Sequence, residues 1–198
     1  MIFCRLDLYF FPILDIYTPI DRTILRYKEL FSPIRRFSMK KAAVIHDLSG
    51  FGKCSLTAAI PVLSALGVQC CPVATAVLTG QTGYPCYHCT DLTAMLPDYI
   101  DAWGKNNAHF DAIYSGFLTG SEQISQVLDF IRYFREEHTL LLVDPVIGDD
   151  GNAYPFFTPG LLNGMKELTL EADVITPNLT EACLPVSYTH LRAHETDS

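Results

Sequence analysis

Leu140-Leu-Leu-Val-Asp-Pro-Val-Ile-Gly-Asp149 is the stretch that decides the fold. Its first four residues are uniformly apolar, the pattern of a strand buried on both faces, and such strands belong to parallel sheets covered by helices. Two carboxylates, Asp144 and Asp149, follow the end of that run. A second segment repeats the arrangement, with Ala172-Asp-Val-Ile175 as a strand and Thr176-Pro-Asn178-Leu-Thr-Glu181 after it. In an open α/β sheet, ligands bind outside the carboxyl ends of the strands. Acidic groups gathered at that edge suggest a metal ion holding phosphates.

Outward from these segments, strand and helix alternate. Ala42 to Ile45 reads as a strand, Ser55 to Leu66 as a helix closed by Gly67, and Val68 to Val77 as extended structure. Pro61 is expected to kink that helix. Leu92 to Trp103 is a further helix behind Asp91 as N-cap, with the same reservation at Pro97. Asp111 to Tyr114 is a short strand. Ser121 caps a helix running to about Glu137, in which Ile124, Val127, Leu128, Ile131 and Phe134 fall at helical spacing. Thr158-Pro159 opens a helix through about Leu170, with proline where its missing N–H costs nothing. This βαβ succession predicts the α/β class: a mostly parallel sheet with helices on both faces. No internal repeat or low-complexity tract interrupts it.

Composition narrows the function classes. The 198 residues are 49% hydrophobic and 18% charged, which is the balance of a globular domain rather than a disordered chain. A net charge of -8, with Arg35-Arg36 and Lys40-Lys41 as the longest basic runs, argues against nucleic-acid binding. Small-molecule chemistry fits better. Seven cysteines, odd in number and irregularly spaced, do not form a disulfide framework, so reduced thiols and a cytoplasmic location are expected. Cys86-Tyr-His88-Cys89 lacks the second ligand pair of a structural zinc site and reads as ordinary loop.

The termini read differently from the middle. Charges interrupt the apolar runs of residues 1–38, so neither a membrane span nor a signal peptide is expected. Met39-Lys-Lys leads directly into the first strand, making residues 1–38 upstream or spurious sequence, with a genuine extension as the alternative. Val186-Ser-Tyr-Thr-His-Leu-Arg-Ala-His-Glu-Thr196 has neither the periodicity nor the capping of its neighbours and resembles an in-frame translation of a library adapter. His190, His194 and Glu195 should therefore carry no function. The expected organisation is 1–38 as extension, 39–185 as the α/β domain and 186–198 as an adapter-derived tail.

Three polar loops could meet a ligand. His46-Asp47-Leu-Ser49-Gly50-Phe-Gly52-Lys53 lacks the spacing of a phosphate-binding P-loop and also lacks G-x-G-x-x-G. It is either a plain strand-to-helix turn or the floor of a polar site in which Asp47 accepts a hydrogen bond. Thr79-Gly-Gln-Thr82-Gly-Tyr84 could place a hydroxyl and an aromatic face over the same ligand, or be only a turn. Tyr114-Ser-Gly-Phe117 offers close backbone approach and a ring for stacking, against a core role for Phe117. The acidic segments suit phosphoryl transfer, which needs positioning and charge cancellation through Mg²⁺. Their alternative role is to cap turns.

Taken together, Ile45-His-Asp47-Leu-Ser-Gly-Phe-Gly52, Leu78-Thr-Gly-Gln-Thr82-Gly-Tyr84, Tyr114-Ser-Gly-Phe117, Val143-Asp-Pro-Val-Ile-Gly-Asp149 and Thr176-Pro-Asn-Leu-Thr-Glu181 carry a resemblance. Residues 39 to 185 resemble the N-terminal part of a ribokinase-superfamily vitamin kinase and are most similar to pyridoxal/pyridoxamine kinases. The resemblance implies ATP-dependent phosphorylation of the 5′-hydroxymethyl group of pyridoxal, pyridoxine or pyridoxamine. It implies substrate contacts from Asp47, Thr82 and Phe117, with Asp47 where the family commonly has serine. It places Asp144, Asp149, Tyr154, Thr176 and Asn178 near ATP, and Asp149 and Glu181 near the metal, Mg²⁺. Family members are often dimers, so self-association is also implied.

The family's Gly-Thr-Gly-Asp segment, which supplies the catalytic base and anion hole, is absent from these 198 residues. No catalytic residue is assigned here, and the chain itself is expected to be inactive. A hydroxymethylpyrimidine kinase of the same superfamily is the alternative, and Asp47 keeps it open. A non-catalytic vitamin-binding fragment is the alternative of another class.

Overall fold

The computed structural model describes residues 39–154 and 158–183, all within one unit, Met39–Ser198. The expectations for residues 1–38 and 186–198 lie outside the described residues.

Alternating burial builds the first strand. Along β1 (Lys41–Ser49), Ala42 and Val44 face one side of the sheet, and Ala43 and Ile45 face the other. Helix α1 (Ser55–Ala65) covers the first side through Leu56, Ala59 and Leu63, and leads by Gly67, at φ +75°, into β2 (Gln69–Leu78). A short edge strand, β3 (Cys89–Asp91), pairs antiparallel with β2. A 3₁₀ turn and α2 (Leu96–Lys105) then lead to β4 (Ala112–Ser115), α3 (Ser121–Phe134) and β5 (Leu140–Val143). After β5 come the hairpin strands β6 (Gly148–Asp149) and β7 (Asn152–Ala153), α4 (Pro159–Glu171), β8 (Val174–Ile175) and α5 (Leu179–Cys183).

The main sheet runs β3-β2-β1-β4-β5-β8, and all its pairings except β2–β3 are parallel. The chain winds outward from β1 to β3, then returns to lay β4, β5 and β8 on the other side. That reversal between β1 and β4 is the switch point at which α/β sheets open a crevice. The larger core lies on the second face, where Ile45, Ile113, Leu141 and Val143 meet Ile124, Val127 and Phe134 of α3 and Leu161, Met165 and Leu168 of α4. Burial of each such side chain is worth about 1.5–3 kcal/mol. Helices therefore cover both faces, as the strand pattern requires.

Several boundaries differ from the sequence reading. β1 continues through Ser49, so His46 and Asp47 belong to the strand rather than to a loop, and its register with β2 shifts between His46 and Leu48. Helix α1 is continuous across Pro61. Asp91 ends β3 and accepts a hydrogen bond from Thr93 N at 2.7 Å, heading the 3₁₀ turn, while Pro97 sits in the first turn of α2 where no kink arises. Gly120, not Ser121, is the N-cap of α3. That helix stops at Phe134 because Arg135 is extended (ψ 120°), its guanidinium donating to Glu171 O and Asp173. Thr158 caps α4 as expected, accepting from Leu161 N at 3.1 Å.

Candidate active site

A cleft of about 500 Å³ opens at the switch point. Its polar lining includes His46, Asp47, Thr82, Asp144 and Tyr154, and Phe117 supplies an aromatic wall. Ala58, Val62 and Leu63 of α1 close the other side. This size and mixture of surfaces suits a small ring-bearing ligand.

The floor comes from the irregular end of β1. A register shift of this kind re-aims side chains, and here Asp47 is buried against the cleft, its carboxylate accepting from Ser49 Oγ at 2.7 Å. His46 stacks edge-to-face on Tyr114, with ring centroids 4.5 Å apart. Burial pushes the His46 pKa down to about 4, outweighing the opposite pull of Asp47, so the imidazole is neutral near pH 7. Its Nε2 is buried and has no hydrogen-bond partner among the described residues. The ring reaches this place because residue 116 is glycine: a Cβ there would fall 1.7 Å from His46 Cε1.

Two loops are zipped together above the floor. Gly50 N donates to Leu78 O at 2.8 Å and Gln81 N to Phe51 O at 2.9 Å, and the exposed rings of Phe51 and Tyr84 pack at 4.8 Å. These bonds set the segment that brings Thr82 to the cleft. Opposite, Phe117 packs on Ala76, Leu78, Tyr87 and Val146, and its carbonyl accepts from Thr75 Oγ1 at 2.9 Å.

The acidic edge is built by turn chemistry. Asp150 (φ +48°) and Gly151 (φ +75°) both take the left-handed conformation that a two-residue hairpin between β6 and β7 requires. Asn178 and Glu181 form a reciprocal capping box: Glu181 N donates to Asn178 Oδ1 and Asn178 N to Glu181 Oε2, each at 2.9 Å. Glu181 Oε1 also accepts from Ile147 N at 3.4 Å, and Asn178 Nδ2 donates to Gly148 O at 2.9 Å. Gly151 N donates to Thr180 Oγ1 at 2.8 Å, so the start of α5 is stapled to the hairpin.

Burial raises the pKa of Asp144, partly offset by a hydrogen bond from Thr176. Burial also raises that of Glu181; backbone bonds from Asn178, Ile147 and Gly148 oppose the shift and nearby Asp144 adds to it. Tyr154 is raised by burial and then by Asp149, Glu181, Asp144 and Asp150, a measure of how much negative charge collects around its hydroxyl.

The structure thus brings Asp47, Thr82, Phe117, Asp144 and Tyr154 to one cleft. Thr176, which bonds Asp144, and Asn178 and Glu181 are not among the lining residues, and Asp149 is exposed on the hairpin. Among the described residues, no three His, Cys, Asp or Glu side chains converge as direct metal ligands. The six described cysteines are free thiols, and no described helix is long and apolar enough to cross a membrane. The sequence reading did not single out His46 or Tyr114 as ligand-facing. For His46 the signal was present, since a polar residue continues the apolar alternation of β1.

Comparison with known proteins matches residues 52–196 to the phosphomethylpyrimidine kinase family. The pyridoxine/pyridoxal/pyridoxamine kinase of Bordetella avium is 33% identical over 139 residues, 66% of this chain and 46% of that protein. A crystal structure of a putative phosphomethylpyrimidine kinase from Bacteroides thetaiotaomicron, an orthorhombic form with pyridoxal, superposes with a TM-score of 0.73 at 47% identity, covering 75% of this chain and 52% of that one. Pyridoxal kinase from Lactobacillus plantarum superposes at 0.70 with 33% identity, over 76% of this chain and 54% of its own. The chain spans about half the length of each of these three relatives.

Proposed function

We propose, because the chain belongs to the phosphomethylpyrimidine kinase family, that its cleft holds the ring of a vitamin B6 compound as the acceptor in ATP-dependent phosphorylation of a hydroxymethyl group. The observation that carries this reading is the meeting, at one switch point, of a ring-sized cleft containing Asp47 and Phe117 with the carboxylate of Asp144. The Asp47 carboxylate and the Thr82 hydroxyl orient the ring by hydrogen bonds, and Phe117 offers an aromatic face. Lining by Val62 and Leu63 keeps water from the ring's apolar side.

The nucleotide lies, in this proposal, beside Asp144, Asp149, Tyr154, Thr176 and Asn178. The oxygen donors there suit Mg²⁺, a hard cation that keeps several waters and takes few carboxylates directly. Glu181 has both carboxylate oxygens engaged by backbone amides, so it would act on such an ion through water, whereas Asp149 is exposed and has only Oδ1 engaged, by Asp150 N at 2.9 Å. When bound, the ion would neutralise phosphate charge.

A hydroxymethylpyrimidine acceptor is the second reading, favoured by the family match and by an aspartate at position 47. Titration of the 198-residue chain with pyridoxal and, separately, with 4-amino-5-hydroxymethyl-2-methylpyrimidine discriminates the two. Tighter binding of pyridoxal, weakened about tenfold or more by Asp47→Ala, supports the first reading, and the reverse preference supports the second. Binding of neither ring overturns both. Incubation with Mg²⁺-ATP should give no product from this chain, which lacks a Gly-Thr-Gly-Asp segment; measurable turnover would contradict that assignment of the base.

A further inference from the structure

Packing alone does not fix Phe117. β1 lies between β2 and β4 in the sheet, so the chain leaving β4 must cross toward β2 for the Phe117 carbonyl to reach Thr75 Oγ1 at 2.9 Å. The carbonyl of Thr75 in turn accepts from Gln123 Nε2 at 2.9 Å and from Leu92 N at 3.0 Å. Gln123 comes from the first turn of α3, and its amide is used at both ends: Nε2 also donates to Thr93 Oγ1 at 3.1 Å, and Oε1 accepts from Thr119 N at 2.8 Å. The Thr119 hydroxyl donates to Asp91, which also accepts from Thr93 N. Thr75 and Gln123 are 0% and 1% exposed, so water cannot substitute for either.

A buried polar network with its members satisfied rigidifies the groups it joins, whereas a severed one leaves unpaired donors and acceptors. Here the joined groups are β2, the turn after β3, and the segment 117–119, of which Phe117 lines the cleft. None of Thr75, Gln123 and Thr93 lines the cleft. We propose that Thr75 and Gln123 are positioning residues that set the Phe117 wall against which the acceptor ring lies. This rests on the acceptor reading given above only for the identity of the ring.

The test uses the full 198-residue chain, with 4-fluorophenylalanine at position 117 as a ¹⁹F reporter and pyridoxal as the probe. Thr75→Val and Gln123→Met remove the bonds at nearly constant volume. Thr75→Ser keeps the hydroxyl. Gln126→Met, on the same helix but outside the network, controls for a general loss of stability, followed by urea unfolding. Thr75→Val and Gln123→Met should each shift or broaden the Phe117 resonance and raise the pyridoxal dissociation constant about tenfold or more, the consequence of losing one hydrogen bond in the first variant and three in the second. Thr75→Ser should restore both, and Gln126→Met should change neither. If Gln123→Met does not fold, the Thr75 pair decides. A Phe117 resonance and a pyridoxal affinity unchanged in Thr75→Val, even with lowered stability, overturn the proposal. Should the parent chain bind no pyridoxal, the acceptor reading fails, while the ¹⁹F resonance still decides whether the network positions the wall.

Discussion

Gly116→Ala tests the architecture of the cleft through one added atom. The new Cβ would lie 1.7 Å from His46 Cε1, 2.3 Å from Nδ1 and 2.5 Å from Nε2. Carbon atoms rest about 3.5–4.0 Å apart, so something must move by roughly 2 Å. The imidazole cannot slide sideways, being buried with Tyr114 at 4.5 Å. It can swing into the cleft, at about 0.5–1.5 kcal/mol for an unfavourable rotamer, and occupy ligand space. Otherwise the strand end retreats, stretching the 3.0 Å bond from Gly116 N to Ile45 O and displacing Phe117. Overpacking of this kind costs about 1–3 kcal/mol. Urea unfolding should show that loss, and pyridoxal titration a fall in affinity of about tenfold or more by either route. His46→Ala removes the obstructing ring, so the double variant should be more stable than the two single costs predict, with a coupling of about 1–2 kcal/mol. Strictly additive costs, or a Gly116→Ala chain with unchanged unfolding and binding, would refute the wedge.

Three further outcomes follow from the same geometry. His46, with a pKa of about 4 when folded against 6.5 for the free side chain, contributes stability that is present above pH 6.5 and lost as pH falls toward 4, by about 3 kcal/mol for the 2.5-unit difference (6.5 − 4). Asp144 and Glu181 are raised, so their contributions run the other way, and His46 is isolated by subtracting the pH profile of His46→Gln; a flat difference between pH 7 and 4.5 would contradict the burial account. Glu181→Gln and Asn178→Ala should each cost about 1–3 kcal/mol in urea unfolding, yet less together than their sum, because they break one reciprocal capping box. Gly151→Ala forces a side chain onto φ +75° and should lower stability by about 1 kcal/mol, read from the melting temperature; no change would mean the hairpin carries no constraint there.

Elements with strong periodicity were legible from the sequence. Leu140–Val143 and the Thr158-capped helix stand where the apolar run and the cap put them. What escaped was short or set by tertiary pairing. β3 is three exposed residues, Cys89–Asp91, with no apolar alternation to announce it, and it exists because β2 offers it a ladder. The β6–β7 hairpin did carry a signal, Asp150-Gly151, the pair that tolerates two left-handed residues. β1 was cut short because His46 and Asp47 are polar, and polarity normally marks a loop. In this strand it marks the site. Glu181 shows the converse: its spacing from Asn178 is equally that of a metal-edge motif and of a capping box, and the hydrogen bonds reveal the box.

The order of forces on His46 explains how the floor stays ready for a ligand. A carboxylate and an imidazole at adjacent positions would ordinarily form an ion pair, and Asp47 does pull the His46 pKa upward. Desolvation pulls harder, because the ring is sealed beneath Gly116 and against Tyr114. The imidazole stays neutral, and the Asp47 carboxylate is supported by the Ser49 hydroxyl rather than cancelled by a neighbouring cation. A buried carboxylate with so little support is a strong acceptor for a donor arriving with the ligand. The glycine at position 116 thus admits the ring and burial neutralises it, which in the proposed function leaves the Asp47 carboxylate, held by Ser49, to meet the ligand.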